Sequence, residues 1–335
     1  MTDPVNPPVR RRIALLSTGG TIAMTASSRG AEIALSGADI GARIAEAADI
    51  DLTVVEVFAK PSANIDLADM GHLAGIARHL ATDGSVDGIV IAHGTDTIEE
   101  TAWGLDLMTQ SSIPVVVTGA MRTADAPGAD GLANLIAGCQ VAASLKTRGL
   151  GVLVVFAEEI HAASLVRKTR TFGPHAFSSE PLGPLGWVCE GGVEIVMRPM
   201  APSPALSLGA DRPVVPILVV HAGFEPEALK LFEAGGVDGL VLALPGGGHA
   251  PAVLAPTLER LAARMPVVFC TRTRGFGTLR ATYGYAGAET DLIQRGLIAA
   301  GSLDGLKARC ALALLLSQGA GREAVRGFFE GFGGG

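Results

Sequence analysis

Two stretches of the chain set hydroxyls and a carboxylate beside glycine. Ser17-Thr18-Gly19-Gly20-Thr21 carries three hydroxyl side chains around a glycine pair, and His93-Gly94-Thr95-Asp96-Thr97 places two hydroxyls and a carboxylate behind a single glycine. Adjacent glycines let the backbone turn tightly and let a ligand come close to it, so Thr18 and Thr21 can face a bound molecule. The second stretch follows residues 88–92, an apolar run rich in β-branched side chains, as expected of a strand buried on both faces of a parallel sheet. Thr97 and Glu100 have the spacing of a capping box, and Ile98, Ala102, Leu105 and Met108 then recur at helical intervals. Thr95 and Asp96 are therefore expected between a strand end and a helix start, where open α/β sheets gather their ligands.

The elements that must hold these loops repeat the same rhythm. Residues 12–16, 52–58, 113–117 and 150–157 read as strands. Residues 36–48, 70–80 and an alanine-rich stretch from Asp130-Gly131 to near Ser144 read as helices. Two of these strands, 52–58 and 113–117, run into small polar loops, Lys60-Pro61-Ser62-Ala63-Asn64 and Thr118-Gly119-Ala120-Met121-Arg122; Lys168 follows the strand at 150–157. Strand, polar loop and helix in repetition predict a larger N-terminal doubly wound α/β domain over 1–196. Pro199, Pro202, Pro204 and Pro213 mark 197–213 as a linker. Beyond it, strands at 217–221, 239–244 and 266–270 and an apolar helix at 307–316 predict a smaller C-terminal α/β domain over 214–335, with 331–335 a frayed tail. Residues 24–31 are small and polar, and are expected to form a mobile lid facing Thr21.

Composition narrows the function. A net charge of -7 argues against a nucleic-acid surface, and the Arg10-Arg11-Arg12 run reads as a solvated leader. The apolar residues after it are cut by Ser17-Thr18-Gly19-Gly20, too soon for the ~7–15 apolar residues of a secretory signal core, which predicts a cytoplasmic protein. No run of ~20 residues is apolar enough to suggest a membrane span. Cys139, Cys189, Cys270 and Cys310 are scattered without paired spacing, so reduced core thiols are expected and neither a disulfide frame nor a metal site. G-x-G-x-x-G is absent, which removes the dinucleotide reading. Gly246-Gly247-Gly248 has no lysine-serine or lysine-threonine pair behind it and reads as a tight turn. His93 is assigned no role, and Trp103 is expected to pack behind its loop.

Thr18-Gly19-Gly20-Thr21-Ile22-Ala23 and His93-Gly94-Thr95-Asp96-Thr97, with Glu99-Glu100-Thr101 behind the second, closely resemble the two signature stretches of the bacterial-type L-asparaginase family. The resemblance extends through Thr118-Gly119-Ala120-Met121-Arg122, Asp130-Gly131 with Asn134, Lys168-Thr169, Gly183-Pro184-Leu185-Gly186, Gly301-Ser302-Leu303 and Lys307-Ala308-Arg309, and so covers nearly the whole chain. It implies a cofactor-free amidohydrolase releasing ammonia from L-asparagine. In that reading Thr21 attacks the amide carbon, Thr95 positions or activates water, and Lys168 and Asp96 complete a Thr-Lys-Asp group. Ser62 would hold the substrate α-carboxylate, although aligning Asn64-Ile65-Asp66 instead would put Leu67 there. Asp96 would take the α-amino group. Gly94 and Ala120 would line the substrate, and Glu289, seven residues before Gly296, would reach a neighbouring subunit's site. A homodimer or homotetramer with shared sites follows from that last transfer.

One departure bears on substrate. Better-studied family members carry a tyrosine in the loop after the first signature, whereas residues 24–35 here contain none, and Tyr283 and Tyr285 are the only two in the chain. The loss leaves Thr21 less well activated. It keeps open a same-fold hydrolase of another small amide, lactam or imide, and a non-catalytic amino-acid sensor. Outside the resemblance, Thr21 and Thr95 could serve as caps or turn residues, and Lys168 as a surface lysine.

Overall fold

The computed structural model describes residues 10–19, 24–27, 30–33, 44, 49–273, 275 and 277–333. The chain divides into two compact units, Met1–Ser203 and Pro204–Gly335. The division falls inside the proline-bearing 197–213 stretch.

The first unit is built on an eight-stranded sheet. In chain order its described elements are β1 (Arg12–Ser17), β2 (Met24–Ser27), β3 (Gly30–Ile33), β4 (Asp51–Glu56), α1 (Leu67–Asp83), β5 (Gly88–Ala92), α2 (Ile98–Thr109), β6 (Val115–Thr118), α3 (Gly131–Ala143), β7 (Val152–Phe156), β8 (Glu159–Ala162), β9 (Arg167–Lys168), β10 (Phe177–Ser178), β11 (Gly186–Cys189) and β12 (Gly192–Ile195). The sheet order is β12-β11-β8-β7-β6-β5-β1-β4. The run from β4 to β7 is parallel, and β8, β11 and β12 extend it as antiparallel strands.

The apolar runs explain the layering. Every residue of β5, β6 and β7 is buried, as both faces of a parallel sheet must be when helices cover them. On one face Ile13, Leu15, Val90, Ala92, Val116, Leu153 and Val155 pack with Leu135, Ala137, Cys139 and Val141 of α3. On the other, α2 lies against β6 and β7 and is itself backed by α1. Asp66 caps α1 through a capping box with Asp69, and Gly84 closes it in the left-handed region.

Chain order fixes where a site belongs. From β1 the chain passes to β4 on one side, then to β5 on the other, so the direction of winding reverses between β1 and β5. A crevice opens at such a switch point, outside the carboxyl ends of the two strands. Residues 18–21 follow β1 and residues 93–97 follow β5.

The second unit carries β13 (Ile217–Val219), α4 (Lys230–Glu233), β14 (Leu240–Leu244), α5 (Ala255–Arg264), β15 (Val267–Thr271), α6 (Glu289–Gln294), β16 (Ile298–Ala299), α7 (Gly305–Ser317) and α8 (Arg322–Glu330). Its four strands are parallel, in the order β13-β14-β15-β16. Leu240, Leu242, Leu244, Val267 and Phe269 form its core with Leu254, Leu258 and Leu261.

Some sequence expectations need correction. Residues 24–31 do not form a plain loop: Met24–Ser27 pairs antiparallel with Gly30–Ile33. The helix expected over 36–48 lies outside the described residues apart from Ile44. Cys139, Cys270 and Cys310 are buried, but Cys189 is exposed at the end of β11. Among the described residues no helix is long and apolar enough to cross a membrane, and no group of three or more His, Cys, Asp or Glu side chains could hold a metal ion.

Candidate active site

Three strand-end loops are stitched together by their own backbones. The Thr18 amide and hydroxyl both donate to the Ala92 carbonyl, at 3.1 and 2.9 Å, which ties the β1 loop to the end of β5. The Lys60 amide donates to the Thr18 carbonyl at 3.1 Å and brings in the β4 loop. Gly19 sits at φ +90°, and a Cβ there would stand 3.0 Å from the Lys60 nitrogen, so this approach needs glycine twice over. The Thr18 hydroxyl, read from sequence as available to a ligand, is spent on this joint.

Ser62 performs the second join. Its buried hydroxyl accepts the Asp96 amide at 3.1 Å, and its carbonyl accepts the Thr97 hydroxyl at 2.8 Å. That bond corrects the expected capping box: Thr97 precedes α2 but makes no side-chain cap, because its hydroxyl is turned to Ser62. Leu67 instead opens α1, directly after the Asp66 cap.

Lys168 enters from β9. Its Nζ donates to Thr95 Oγ1 and to Asp96 Oδ1, each at 2.9 Å. Thr95 is buried, Lys168 is mostly covered, and the Asp96 carboxylate is 67% exposed. The ammonium thus links a shielded hydroxyl to an open carboxylate, a placement suited to holding a proton beside one polar group while the other meets a ligand. Thr21, the remaining member of the expected group, lies outside the described residues.

The floor of the loop is equally determined. His93 is fully buried and its Nδ1 donates to the Gly94 carbonyl at 2.7 Å; burial lowers its pKa to about 4, so the ring is neutral. Ala120 is fully buried. Behind it the Asp130 carboxylate accepts the amides of Met121 and Arg122, and Asn134 donates to the Gly119 carbonyl while accepting the Ala157 amide. Asp130 and Asn134 are scaffold for the loop after β6.

Glu289 lies in the second unit, at the start of α6, and is fully buried. Its Oε1 accepts the amides of Thr282 and Tyr283, each at 2.7 Å, and its Oε2 stands 3.0 Å from His249 Nε2. His249 in turn contacts the Tyr285 hydroxyl at 3.0 Å through Nδ1 and meets both tyrosine rings edge-on. Both carboxylate oxygens have partners within the unit, where Glu289 organises this cluster.

Sequence reasoning missed Asp106. It sits on α2, buried, accepting the Val152 amide at 2.6 Å and the Ser203 hydroxyl at 2.5 Å, and burial lifts its pKa to about 6 against the pull of those two bonds. Its helical spacing alone marks it as a polar break in an apolar face, which was the available signal.

Two domain models match the chain and define a two-domain α/β amidohydrolase: Asparaginase, N-terminal, over residues 12–201, and Glutaminase/Asparaginase C-terminal domain, over 214–329. The chain belongs to the asparaginase family. It is 38% identical over 331 residues to a probable L-asparaginase of Deinococcus radiodurans, covering 95% of this chain and 97% of that protein. It is 32% identical over 311 residues to an L-asparaginase of Bacillus licheniformis, covering 92% and 96%. The crystal structure of a probable cytoplasmic L-asparaginase from Campylobacter jejuni superposes with a TM-score of 0.84 at 28% identity, over 96% of this chain and 99% of that one.

Proposed function

We propose that the protein hydrolyses the side-chain amide of L-asparagine to L-aspartate and ammonia. The observation that carries the reading is the ammonium of Lys168 bonded at once to Thr95 and Asp96, at a switch point shared with Thr18 and Gly19 at the end of β1. In this reading Thr21 Oγ1 attacks the amide carbon and its proton passes to the departing nitrogen, which leaves as ammonia and yields an acyl ester. Water held by Thr95 then attacks the ester carbon, giving aspartate and returning the proton to Thr21. Lys168 relays protons between Thr95 and the reacting atoms. Ser62 and Asp96 receive the α-carboxylate and α-amino groups, with Gly94 and Ala120 lining the substrate. Ser62 is favoured over Leu67 because its buried hydroxyl already touches the site loop, and a leucine could not offset the desolvation of a carboxylate.

A second reading, hydrolysis of another small amide, lactam or imide, is favoured by the tyrosine-free stretch at 24–35. The proposal includes a cytoplasmic homodimer or homotetramer with shared sites, in which Glu289 and the His249–Tyr285 cluster it organises reach a neighbouring subunit's site. Light scattering of the purified protein tests the assembly, and cell fractionation the location. Ammonia release is to be measured with L-asparagine, L-glutamine and a panel of small amides and cyclic imides. Turnover of L-asparagine with abolition by Thr21→Ala is expected. Turnover of a cyclic imide alone would replace the substrate, and binding without any turnover would leave an amino-acid sensor.

A further inference from the structure

Outside the site, one buried polar group stands out in the first unit. His161, on β8, is 1% exposed, and its Nδ1 lies 2.9 Å from the hydroxyl of Ser179, itself 2% exposed. Glu159 Oε2 stands 3.3 Å from His161 Nε2, off the line of a hydrogen bond, so the carboxylate acts on the ring through charge. That charge favours the proton on Nε2, which leaves Nδ1 to accept the Ser179 hydroxyl. The order Glu, His, Ser has the form of a nucleophile relay, but a serine so covered cannot be reached by a carbonyl.

What the pair does follows from what Ser179 is attached to. It comes directly after β10, whose Phe177 and Ser178 pair antiparallel with Lys168 and Arg167 of β9. A ribbon of two residues per strand is too short to hold its own shape. Its other anchors include the Phe177 ring, 4.8 Å from that of Phe156 on β7, the Thr169 amide on the Ala176 carbonyl, and the Val166 amide on the Ala162 carbonyl. Ser179 adds the polar fastening: its carbonyl accepts the amides of Leu182 and Gly183, and its hydroxyl reaches His161, a residue locked in the sheet opposite Val154.

We propose that Ser179 and His161 are a positioning pair that fixes the β9–β10 ribbon to β8 and so holds Lys168 against Thr95 and Asp96. Without the hydroxyl, Nδ1 is left buried and unpaired, and the ribbon relaxes away from β8 to let solvent reach it. Lys168, whose Cα is registered against Phe177, moves with the ribbon. The inference rests on the role given to Lys168 above, but its first readout does not.

That readout is the rate at which acetic anhydride modifies each lysine, followed by peptide mass spectrometry on the intact folded protein. Lys168 is 17% exposed, against 43%, 54% and 66% for Lys60, Lys146 and Lys230. In Ser179→Ala the Lys168 rate is expected to rise about fivefold, the sign of local opening, with the three exposed lysines unchanged. Thermal unfolding checks that the variant is folded, and His161→Phe, which keeps a ring but removes the acceptor, is the second route to the same result. Activity should follow: a fall in kcat of about tenfold or more with a smaller change in KM, as misplacement of a reacting group produces, and recovery in Ser179→Thr. An unchanged Lys168 rate overturns the proposal whatever the activity does, and so does a rise shared by all four lysines. If the wild-type protein hydrolyses no amide, the functional reading fails while the labelling still decides the positioning claim.

Discussion

Lys168 Nζ lies 2.9 Å from Thr95 Oγ1 across 73 residues of sequence, while its second bond, to Asp96, is to a carboxylate open to solvent. The two bonds therefore differ in what a ligand can disturb. The hydroxyl contact is enclosed, and the carboxylate contact is the one an arriving ammonium group would share.

Lys168→Met removes the ammonium and keeps most of the stem. The expected result is a loss in kcat of about 10²- to 10⁴-fold, the usual contribution of a positioned proton-transfer group, with the protein still folded. Lys168→Arg should recover little, since a planar guanidinium cannot reproduce a point donor shared by two oxygens. Steady-state ammonia release decides it, and wild-type kcat in the methionine variant would remove Lys168 from the reaction.

Gly119→Ala tests the loop from behind. A Cβ there would stand 2.4 Å from the His93 carbonyl oxygen and 3.3 Å from Thr95 Cγ2, so the backbone of the site loop has to move. Such overpacking costs about 1–3 kcal/mol in stability, and because it pushes on Thr95 the activity should fall further than the melting temperature suggests. Urea midpoints and kcat on the same preparations provide the comparison.

The two site loops were legible because their signals are local. An apolar run ending in glycine and hydroxyl residues marks a strand end whatever lies around it, and Gly88–Ala92 followed by Thr95 and Asp96 behaves that way in space. The Lys168 contact was not legible from periodicity, since β9 and β10 are two residues each, too short to show any alternation. Only the family resemblance pointed to it. Thr97 shows the converse limit: its spacing to Glu100 is that of a capping box, yet the Ser62 carbonyl, 35 residues away, takes the hydroxyl. Residues 24–31 misled for a third reason, as small polar side chains carry no alternation although the backbone pairs in a hairpin.

His93 gives the protein an acid limit. Its folded pKa of about 4 lies below the ordinary value of 6.5, so the unfolded chain binds a proton that the folded chain refuses. The stability associated with the neutral ring is complete above pH 6.5 and is lost as pH falls toward 4, to an extent on the order of 3 kcal/mol. His161, also lowered to about 4 by burial, adds a loss of the same sign. Urea titrations between pH 7 and 4 should show a steep decline that His93→Gln makes shallower; an equally steep decline in that variant would assign the proton uptake elsewhere.

Asp106 acts in the opposite direction, and two substitutions separate its charge from its hydrogen bonds. Burial raises its folded pKa to about 6, above the ordinary 3.8, so the carboxyl is most stabilising while protonated. That contribution is present below pH 3.8 and is lost as pH rises through 6, leaving a cost on the order of 3 kcal/mol at pH 7.5. Asp106→Asn removes the charge and can still accept the Val152 amide and donate to Ser203 Oγ. It is expected to raise the urea midpoint at pH 7.5 and to change it little at pH 4. Asp106→Ala removes the charge as well, but orphans the buried Val152 amide and opens a void, so it should lower the midpoint at both pH values. A stabilised alanine variant would mean that the Val152 bond contributes nothing, and an asparagine variant destabilised at pH 7.5 would mean that ionised Asp106 is held by its donors more strongly than burial disfavours it.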